Sequence, residues 1–339
     1  MNSDVLILTE GGTRFGFGHI GRCAALYQAF ASRNFTPRLV INGDGSVAAF
    51  TKGLNSDVRC WFEDGCLRGL LALNPGVVVI DSYIAPEAVY RTVSEAVRAA
   101  VFLDDYERIF YPLGFIVNPT ACPEQFSYPA REGTVYLLGE GYMPLRSVFW
   151  DVPPRSVSER VGHILLTLGG SDMKQATPLC YQAVKAEYPS ARKTVVLGHG
   201  CSPAADFFDQ ADGQTEFVAA LDAGQMKARM LEADLAVSAG GQTLYELARS
   251  GVPALAVCVA DNQVANIRGL KRKGVIEDCG RIDDPGVSAR LREALRKYKD
   301  KEPRQRLVAA GQSCVDGQGA FRIVDAVVNK RAMTPRQLL

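Results

Sequence analysis

The chain has 339 residues, of which 47% are hydrophobic and 22% charged, as in a globular protein with sizeable buried cores. At roughly 150 residues per domain, this length predicts about two domains. The 38 basic residues balance 37 acidic ones, so the net charge does not indicate a nucleic-acid-binding protein. No apolar run reaches the roughly 18 residues that span a bilayer, and the first residues lack the basic and apolar segments of a secretory signal. We therefore expect a cytoplasmic protein without a membrane span.

The nine cysteines are scattered and form no CxxC pair, and the chain has only three histidines. An odd number of cysteines without paired spacing disfavours both a disulfide framework and a zinc site. The sequence therefore predicts reduced thiols, no metal site and no bound cofactor.

The N-terminal half alternates short β-rich runs with stretches of helical spacing. Apolar residues at Ile20, Ala24, Tyr27 and Phe30 recur every three or four positions, which predicts a helix over 18–33. A second helix is predicted over 86–99, because the missing N–H of a proline costs nothing at a helix start. The continuous apolar runs are typical of parallel strands buried on both faces. Strands are predicted at 5–8, 38–41, 77–81, 100–104 and 115–118.

A second alternating set follows the polar, proline-containing stretch 151–160, which we interpret as a linker. Its strands are predicted at 164–168, 194–197, 216–218, 235–238 and 254–259, and its helices at 174–187, 225–232, 242–250, 262–273, 287–297 and 303–313. This alternation predicts an α/β fold with two doubly wound, Rossmann-like domains, 1–150 and 161–339. The last helix is expected to pack either on its own domain or back on the first. Ligands are expected at the carboxyl ends of the strands, in a cleft between the domains.

A glycine-rich turn follows the first strand and ends at His19. Gly16 and Gly18 would let the backbone approach a ligand, and the helix that begins near Gly18 offers free N–H groups. The dipole of that helix disfavours a charged imidazole, so His19 is a candidate neutral base. The alternative is a histidine that caps the helix or lies in the core. The turn fits neither the GxGxxG nor the Walker A pattern.

Two further strand ends in this half are polar. Asp81 and Tyr83 follow one strand, and Asp104 and Asp105 follow the next. All four lie where the predicted topology places ligands, although an acidic residue after a strand is also a common helix cap. We take Asp81 and Tyr83 as the candidate catalytic partners of His19.

In the second half, two pairs of glycines stand at strand-to-helix junctions, where backbone N–H groups can form a nest for a diphosphate. The candidate binding residues at these junctions are Gly170, Ser171, Asp172, Gly240, Gly241, Gln242 and Thr243. Thr243 and Glu246 also have the spacing of a capping box, and the Glu246 carboxylate could accept from a ribose. No lysine-rich clamp or carboxylate cage accompanies them, so the simplest picture is a diphosphate held by the backbone without a metal.

Amide side chains follow the next predicted strand, at Asn262, Gln263 and Asn266. Amides both donate and accept hydrogen bonds, which suits the hydroxyl and acetamido groups of a sugar. Of the other histidines, His163 is interpreted as structural and His199 as a hydrogen-bonded loop residue.

Three motifs in combination resemble those of a known family. They are Phe15-Gly-Phe-Gly-His19-Ile-Gly-Arg22, Leu168-Gly-Gly-Ser-Asp172 and Ser238-Ala-Gly-Gly-Gln-Thr-Leu-Tyr-Glu246. The family is that of the UDP-2,4-diacetamido-2,4,6-trideoxy-β-L-altropyranose hydrolases of pseudaminic acid biosynthesis, grouped with spore-coat polysaccharide biosynthesis proteins. The C-terminal half alone also resembles the N-acetylglucosaminyltransferase of peptidoglycan lipid synthesis, which is a GT-B glycosyltransferase.

The resemblance implies a GT-B fold and hydrolysis of a UDP-linked sugar with inversion at the anomeric carbon, in the synthesis of a surface-glycan precursor. His19 would orient or deprotonate the attacking water, with Arg22 supporting the site. The implied sugar contacts are Tyr83, Asn262, Gln263 and Asn266. The implied nucleotide contacts are Gly240, Gly241, Gln242 and Thr243 for the diphosphate, Glu246 for the ribose, and Val218 and Met226 for the uracil.

Three other functions remain open at this point. A GT-B glycosyltransferase would use the same donor site, with a sugar hydroxyl in place of water. A binding protein without catalytic activity would hold the nucleotide sugar unchanged. An epimerase of the same fold would need a second acid/base pair, and the sequence offers no clear candidate for one.

Overall fold

The structure is a computed structural model that describes residues 4–170, 172, 174–198, 201, 205–219 and 221–332. Within these residues the chain divides into two compact units. Unit 1 runs to Ser147 and resumes at Gly317, and unit 2 is Val148–Asp316. None of the helices in the described residues is long and apolar enough to cross a membrane.

Unit 1 is built on a seven-stranded sheet in the order β3-β2-β1-β4-β5-β6-β7, and every neighbouring pair is parallel. The central strands are buried along their apolar runs, because helices flank a sheet of this kind on both faces. The strands are β1 Asp4–Gly11, β2 Thr36–Gly43, β3 Ser56–Val58, β4 Val77–Asp81, β5 Ala99–Leu103, β6 Phe115–Asn118 and β7 Val135–Leu138. The helices between them are α1 Gly18–Ser32, α2 Ala48–Thr51, α3 Asp64–Leu71 and α4 Glu87–Ala96.

Unit 2 repeats the design with a six-stranded parallel sheet in the order β10-β9-β8-β11-β12-β13. Its strands are β8 His163–Thr167, β9 Arg192–Leu197, β10 Thr215–Ala219, β11 Leu235–Ala239, β12 Ala254–Cys258 and β13 Ile276–Arg281. Its helices are α5 Ala176–Glu187, α6 Ala205–Asp209, α7 Ala223–Glu232, α8 Thr243–Arg249, α9 Val264–Arg272, α10 Val287–Lys297 and α11 Lys301–Cys314.

The last helix, α12 Gly319–Ala332, belongs to unit 1 and packs on α1. Arg33 at the end of α1 forms an ion pair with Asp325, with 3.0 Å between Nε and Oδ1. A Cβ atom at Gly319 would lie 2.2 Å from the carbonyl oxygen of Met143, so only glycine allows this close approach.

The stretch 151–160 is part of unit 2 in the structure and is bonded to it. The hydroxyl of Ser158 donates to Asp234 at 2.8 Å, and Arg304 donates to the carbonyl of Ser158 at 2.8 Å. The unit boundary falls earlier, after Ser147.

The predicted elements lie close to the observed ones, with a few errors of local origin. The helix predicted over 86–99 ends at Ala96, because the chain turns there to enter β5 at Ala99. Strands β3, β7 and β13 escaped prediction: β3 has three residues, and β13 carries Glu277, Asp278 and Arg281 among its six. Helices α2 and α3 were also missed, because four and eight residues are too few to show a clear helical periodicity.

Candidate active site

The order of the strands brings three polar strand ends together. Strand β4 lies beside β1, with Asp81 opposite Thr9, and β5 lies on the other side of β4. In a parallel sheet the carboxyl ends of all strands share one edge, so Glu10, Asp81 and Asp105 converge there. Helix α1 starts at the same edge and contributes His19 and Arg22 from its first two turns.

The glycine-rich turn between β1 and α1 is closed by its own backbone. The N–H groups of Gly12 and Gly16 donate to each other's carbonyls at 3.0 and 2.8 Å, and both residues have positive φ, at +122° and +78°. Asp44, at the end of β2, accepts hydrogen bonds from the backbone N and the hydroxyl of Thr13. Among the described atoms, none lies within 4 Å of a Cβ built on Gly16 or Gly18, so both positions border open space.

His19 is held by a buried carboxylate. Its Nδ1 atom lies 2.7 Å from Oδ1 of Asp81, and the two residues are 6% and 0% exposed. An ionised carboxylate can only accept, so Nδ1 carries the proton and the lone pair of His19 is on Nε2. A neutral imidazole in this tautomer can accept a proton at Nε2.

Arg22 keeps Asp81 ionised. Its Nε and Nη2 atoms bind the two oxygens of Asp81 at 2.5 and 2.7 Å, and its Nη1 atom binds Asp105 at 2.8 Å. Burial alone would raise the pKa of Asp81, but the charge of Arg22 and the hydrogen bonds from Arg22 and His19 outweigh it and hold that pKa well below its usual range. Burial likewise works against the charge of Arg22, and the two carboxylates overcome it and raise its pKa.

Tyr83 completes the first layer around the imidazole. Its ring meets the ring of His19 edge to face, with 4.2 Å between centroids. Its hydroxyl donates to Asp105, whose pKa burial would raise but Arg22 lowers. The phenol proton of Tyr83 is therefore bound by Asp105.

Glu10 belongs to this site and was not among the predicted residues. Its carboxylate is 1% exposed, accepts from the hydroxyl of Ser82 and from the backbone N of Tyr83 at 2.7 Å, and lies 3.9 Å from Nε2 of His19. A usable sign was present in the sequence, because an acidic residue next to the carboxyl end of a central strand stands where ligands bind.

Asp104 anchors the loop that follows β5. It is 2% exposed and accepts from the hydroxyls of Tyr111 and Tyr128 and from the backbone N of Glu107. These bonds shape the loop that carries Asp105.

In unit 2, two of the predicted sugar-binding amides are used by the protein itself. The Oε1 atom of Gln263 accepts from the backbone N of Gly240 at 3.1 Å and of Val259 at 3.0 Å. Asn266 donates to the carbonyl of Gly240 at 2.7 Å and accepts from Tyr245. Both amides therefore fix the junction after β11, at Gly240.

The second glycine of this junction differs from the first. A Cβ on Gly240 would lie 2.5 Å from Cδ1 of Ile267, whereas one on Gly241 meets no described atom within 4 Å. Helix α8 begins at Thr243 and is preceded by Gln242, without a side-chain cap. The predicted capping box is therefore wrong, since Thr243 is the first residue of the helix and Glu246 lies buried one turn along.

At the other junction, Asp172 caps helix α5. Its two carboxylate oxygens accept from the backbone N atoms of Ala176 at 2.7 Å and Thr177 at 2.8 Å. The carbonyl oxygen of Gly170 lies close to Gly198, the residue after β9, where a Cβ atom would be 2.5 Å from it. Ser171, like His199, lies outside the described residues.

The remaining predicted positions have the following places. Asn262 is exposed in the turn before α9, and Val218 and Met226 are half-buried on β10 and α7. His163 bonds Thr194 at 2.9 Å, and burial lowers its pKa, as fits a structural residue. Within the described part of the chain, no group of three or more His, Cys, Asp or Glu residues is placed to hold a metal ion.

Two Rossmann-like units of this kind define a GT-B fold, and solved structures of that class share it. The Staphylococcus aureus MnaA–UDP co-structure superposes with a TM-score of 0.68 at 13% identity, covering 98% of this chain and 97% of that one. The spinosyn rhamnosyltransferase SpnG superposes with a TM-score of 0.64 at 13% identity, covering 96% and 99%.

Among characterised proteins, the chain is similar to a Helicobacter pylori protein described as pseudaminic acid cytidylyltransferase and UDP-2,4-diacetamido-2,4,6-trideoxy-β-L-altropyranose hydrolase. The two are 24% identical over 276 residues, which is 80% of this chain and 48% of that protein. This chain is also 25% identical over 169 residues to the spore coat polysaccharide biosynthesis protein SpsG of Bacillus subtilis, and the match covers 48% of each protein. The chain thus spans about half the length of the relatives it matches. No family profile matches it.

Proposed function

We propose that the protein is a metal-independent nucleotide-sugar hydrolase. It would cleave the anomeric C–O bond of a UDP-linked amino or deoxy sugar with inversion and release UDP and the free sugar. The place of this reaction would be the cytoplasmic synthesis of a surface-glycan precursor of the pseudaminic acid type. The observation that carries the proposal is the 2.7 Å contact between Nδ1 of His19 and ionised Asp81, which leaves Nε2 able to take a proton.

In the proposed reaction, Nε2 of His19 removes a proton from water as the water oxygen attacks the anomeric carbon. The bond from that carbon to the phosphate oxygen breaks, and its electron pair leaves with UDP. Asp81 stabilises the imidazolium that forms and Arg22 keeps Asp81 in place, as the carboxylate does in other histidine-based sites. A single displacement of this kind inverts the anomeric configuration.

The nucleotide contacts are assigned to unit 2. Backbone N–H groups at Gly240 and Gly241, together with Gln242 and Thr243 at the start of α8, would bind the diphosphate. Glu246 would accept from the ribose. Because these are mainly backbone contacts, they require no basic surface, which agrees with the balanced charge of the chain. The H. pylori relative, whose description names a UDP-sugar hydrolase, supports this choice of substrate class.

The test is to incubate the protein with UDP-linked amino and deoxy sugars and to measure UDP release with and without acceptor sugars. We expect release without an acceptor and a drop of about 10²- to 10⁴-fold in kcat for His19→Ala. His163→Gln, which alters the structural histidine of unit 2, is the matched control and keeps its turnover. UDP release only in the presence of an acceptor would instead establish a glycosyltransferase, and binding without turnover a binding protein.

A further inference from the structure

Glu10 is placed on the free side of His19. Asp81 binds the Nδ1 edge of the imidazole, and Oε1 of Glu10 lies 3.9 Å from the opposite nitrogen, Nε2. The imidazole is therefore flanked by two carboxylates, one on each ring nitrogen. Glu10 plays no part in the reaction as derived above.

The position of Glu10 is fixed by its other contacts. Its Oε2 atom accepts from the hydroxyl of Ser82, and its Oε1 atom accepts from the backbone N of Tyr83 at 2.7 Å. Both groups donate to the carboxylate, and its oxygens have lone pairs enough for Oε1 to accept one more hydrogen bond. A carboxylate that is 1% exposed and held at two points cannot swing away from the ring.

The distance from Glu10 to Nε2 suits a shared water molecule. At 3.9 Å, too long for a direct hydrogen bond, one water oxygen can lie about 2.8 Å from each atom and subtend about 90° between them. That angle is close to the angle between the two O–H bonds of water. A water that donates to both atoms turns its own lone pairs away from them, which leaves those lone pairs available for attack.

We propose that Glu10 is a second acceptor for the nucleophilic water, and this rests on the proposed function. The water donates one hydrogen to Nε2 of His19 and the other to Oε1 of Glu10. As its oxygen bonds to the anomeric carbon, the first hydrogen moves to Nε2 as a proton, and the phosphate oxygen leaves with the electron pair. The second hydrogen stays on the new sugar hydroxyl, still bonded to Glu10. Glu10 thus orients the nucleophile, and its charge stabilises the imidazolium.

The charged groups around His19 decide the pH dependence of this arrangement. Glu10 on β1 and Asp81 on β4 are negative, and Arg22 on α1 is positive and shared with Asp105 after β5. Tyr83 contributes its neutral ring. Removing the charge of Glu10 takes away one of the two carboxylates that favour protonated His19, so a lower pH is needed to protonate the base.

The experiment compares Glu10→Gln and Glu10→Asp with the wild-type enzyme over a range of pH. For Glu10→Gln we expect kcat to fall about 10- to 100-fold with little change in KM, since only the nucleophile is misoriented. The acidic limb of its pH–rate profile should move to lower pH. Glu10→Asp retains the charge but withdraws the carboxylate by one methylene, so kcat should fall while the acidic limb stays in place.

Glu95→Gln, on the exposed face of α4, is the matched control. It should leave both kcat and the position of the acidic limb unchanged. A structural role for Glu10 would lower the rate equally at every pH, and that result overturns the proposal. If Glu10→Gln does not fold, wild-type kcat in Glu10→Asp overturns it as well. A wild-type protein that hydrolyses no UDP sugar contradicts the proposed function itself, whereas an active wild type with unaffected variants contradicts only the role of Glu10.

Discussion

The Nδ1 atom of His19 lies 2.7 Å from Oδ1 of Asp81, although 62 positions separate the two residues in the chain. Asp81 is buried, and its two oxygens accept hydrogen bonds from Nε and Nη2 of Arg22. It is therefore held as an anion that can only accept. The contact therefore selects the tautomer of His19 and the orientation of its ring.

The first prediction concerns that tautomer. In Asp81→Asn, the amide can present its NH₂ group to Nδ1 and so favour the tautomer with the proton on Nε2. We expect kcat for UDP release to fall about 10²- to 10⁴-fold, with the affinity for UDP unchanged because the nucleotide contacts are assigned to unit 2. Steady-state kinetics and calorimetric UDP titration measure the two quantities. Asp64→Asn, on the exposed start of α3, is the control. Wild-type kcat in Asp81→Asn would show that the tautomer does not matter.

The second prediction concerns pH and stability. The pKa values of Asp81 and Asp105 are lowered in the folded protein, chiefly by Arg22 acting against burial. Both therefore stabilise the fold fully above the unfolded pKa of roughly 3.9, and this stabilisation is lost as the pH falls through their folded pKa values. Arg22→Gln leaves two buried carboxylates without their cation and should cost about 3–5 kcal/mol at pH 7.

Urea unfolding of Arg22→Gln at pH 7 and pH 5 measures this effect. In the variant, burial raises the pKa of both carboxylates, so the loss relative to wild type should be smaller at pH 5. Arg33→Gln breaks the half-exposed pair with Asp325 and should cost less than about 1 kcal/mol at either pH. Equal losses in the two variants would argue that the Arg22 cluster contributes no more than a surface pair.

The third prediction concerns the turn that delivers His19. Gly12 has φ +122°, and a Cβ atom there would lie 2.6 Å from Oδ2 of Asp44. Gly12→Ala should therefore displace Asp44 from Thr13 and cost about 1–3 kcal/mol through backbone strain. The midpoint temperature of thermal unfolding and kcat should both fall. Gly65→Ala, in helix α3 with open space around it, should instead stabilise by up to about 1 kcal/mol. If Gly12→Ala changed neither the unfolding midpoint nor kcat, the turn would tolerate a side chain at this position.

The fourth prediction separates packing from binding in unit 2. In Gly240→Ala the new methyl meets Ile267 at 2.5 Å, so the protein should lose about 1–3 kcal/mol of stability. In Gly241→Ala the methyl enters open space, so stability should be retained while UDP binding weakens if a diphosphate approaches this backbone. Thermal unfolding with and without UDP distinguishes the two variants. Unchanged UDP binding in Gly241→Ala would show that the diphosphate does not bind next to this backbone.

Local patterns were sufficient for the framework of the fold. Val77–Asp81 and Phe115–Asn118 were predicted with their observed bounds, because continuous apolar runs between turn residues have few alternatives to a buried strand. Strand β13 was missed because half of its residues are charged, and only its pairing with β12 makes it a strand.

The candidate site was predictable to the extent that it lies at strand ends. His19, Asp81 and Tyr83 were predicted from the position of the glycine-rich turn and the polar strand ends, and the structure brings the three side chains together. Glu10 was missed because an acidic residue near the end of a strand is also typical of solvent-exposed positions, so its place beside the glycine-rich turn did not single it out. Gln263 and Asn266 were assigned to a sugar, yet their amides bond the backbone of the Gly240 junction, because the fold satisfies its own buried polar groups first.

The sequence by itself determined the alternation of strands and helices, the two parallel sheets and the polar candidate residues at the strand ends, since each depends on periodicity and turn chemistry over a few neighbouring positions. The tertiary structure alone decided which side chains meet there. The order β1-β4-β5 brings Glu10, Asp81 and Asp105 to one edge, where Arg22 and His19 from α1 connect them. Hydrogen bonds and charges act over a few ångströms, and those distances exist only once the strands are side by side.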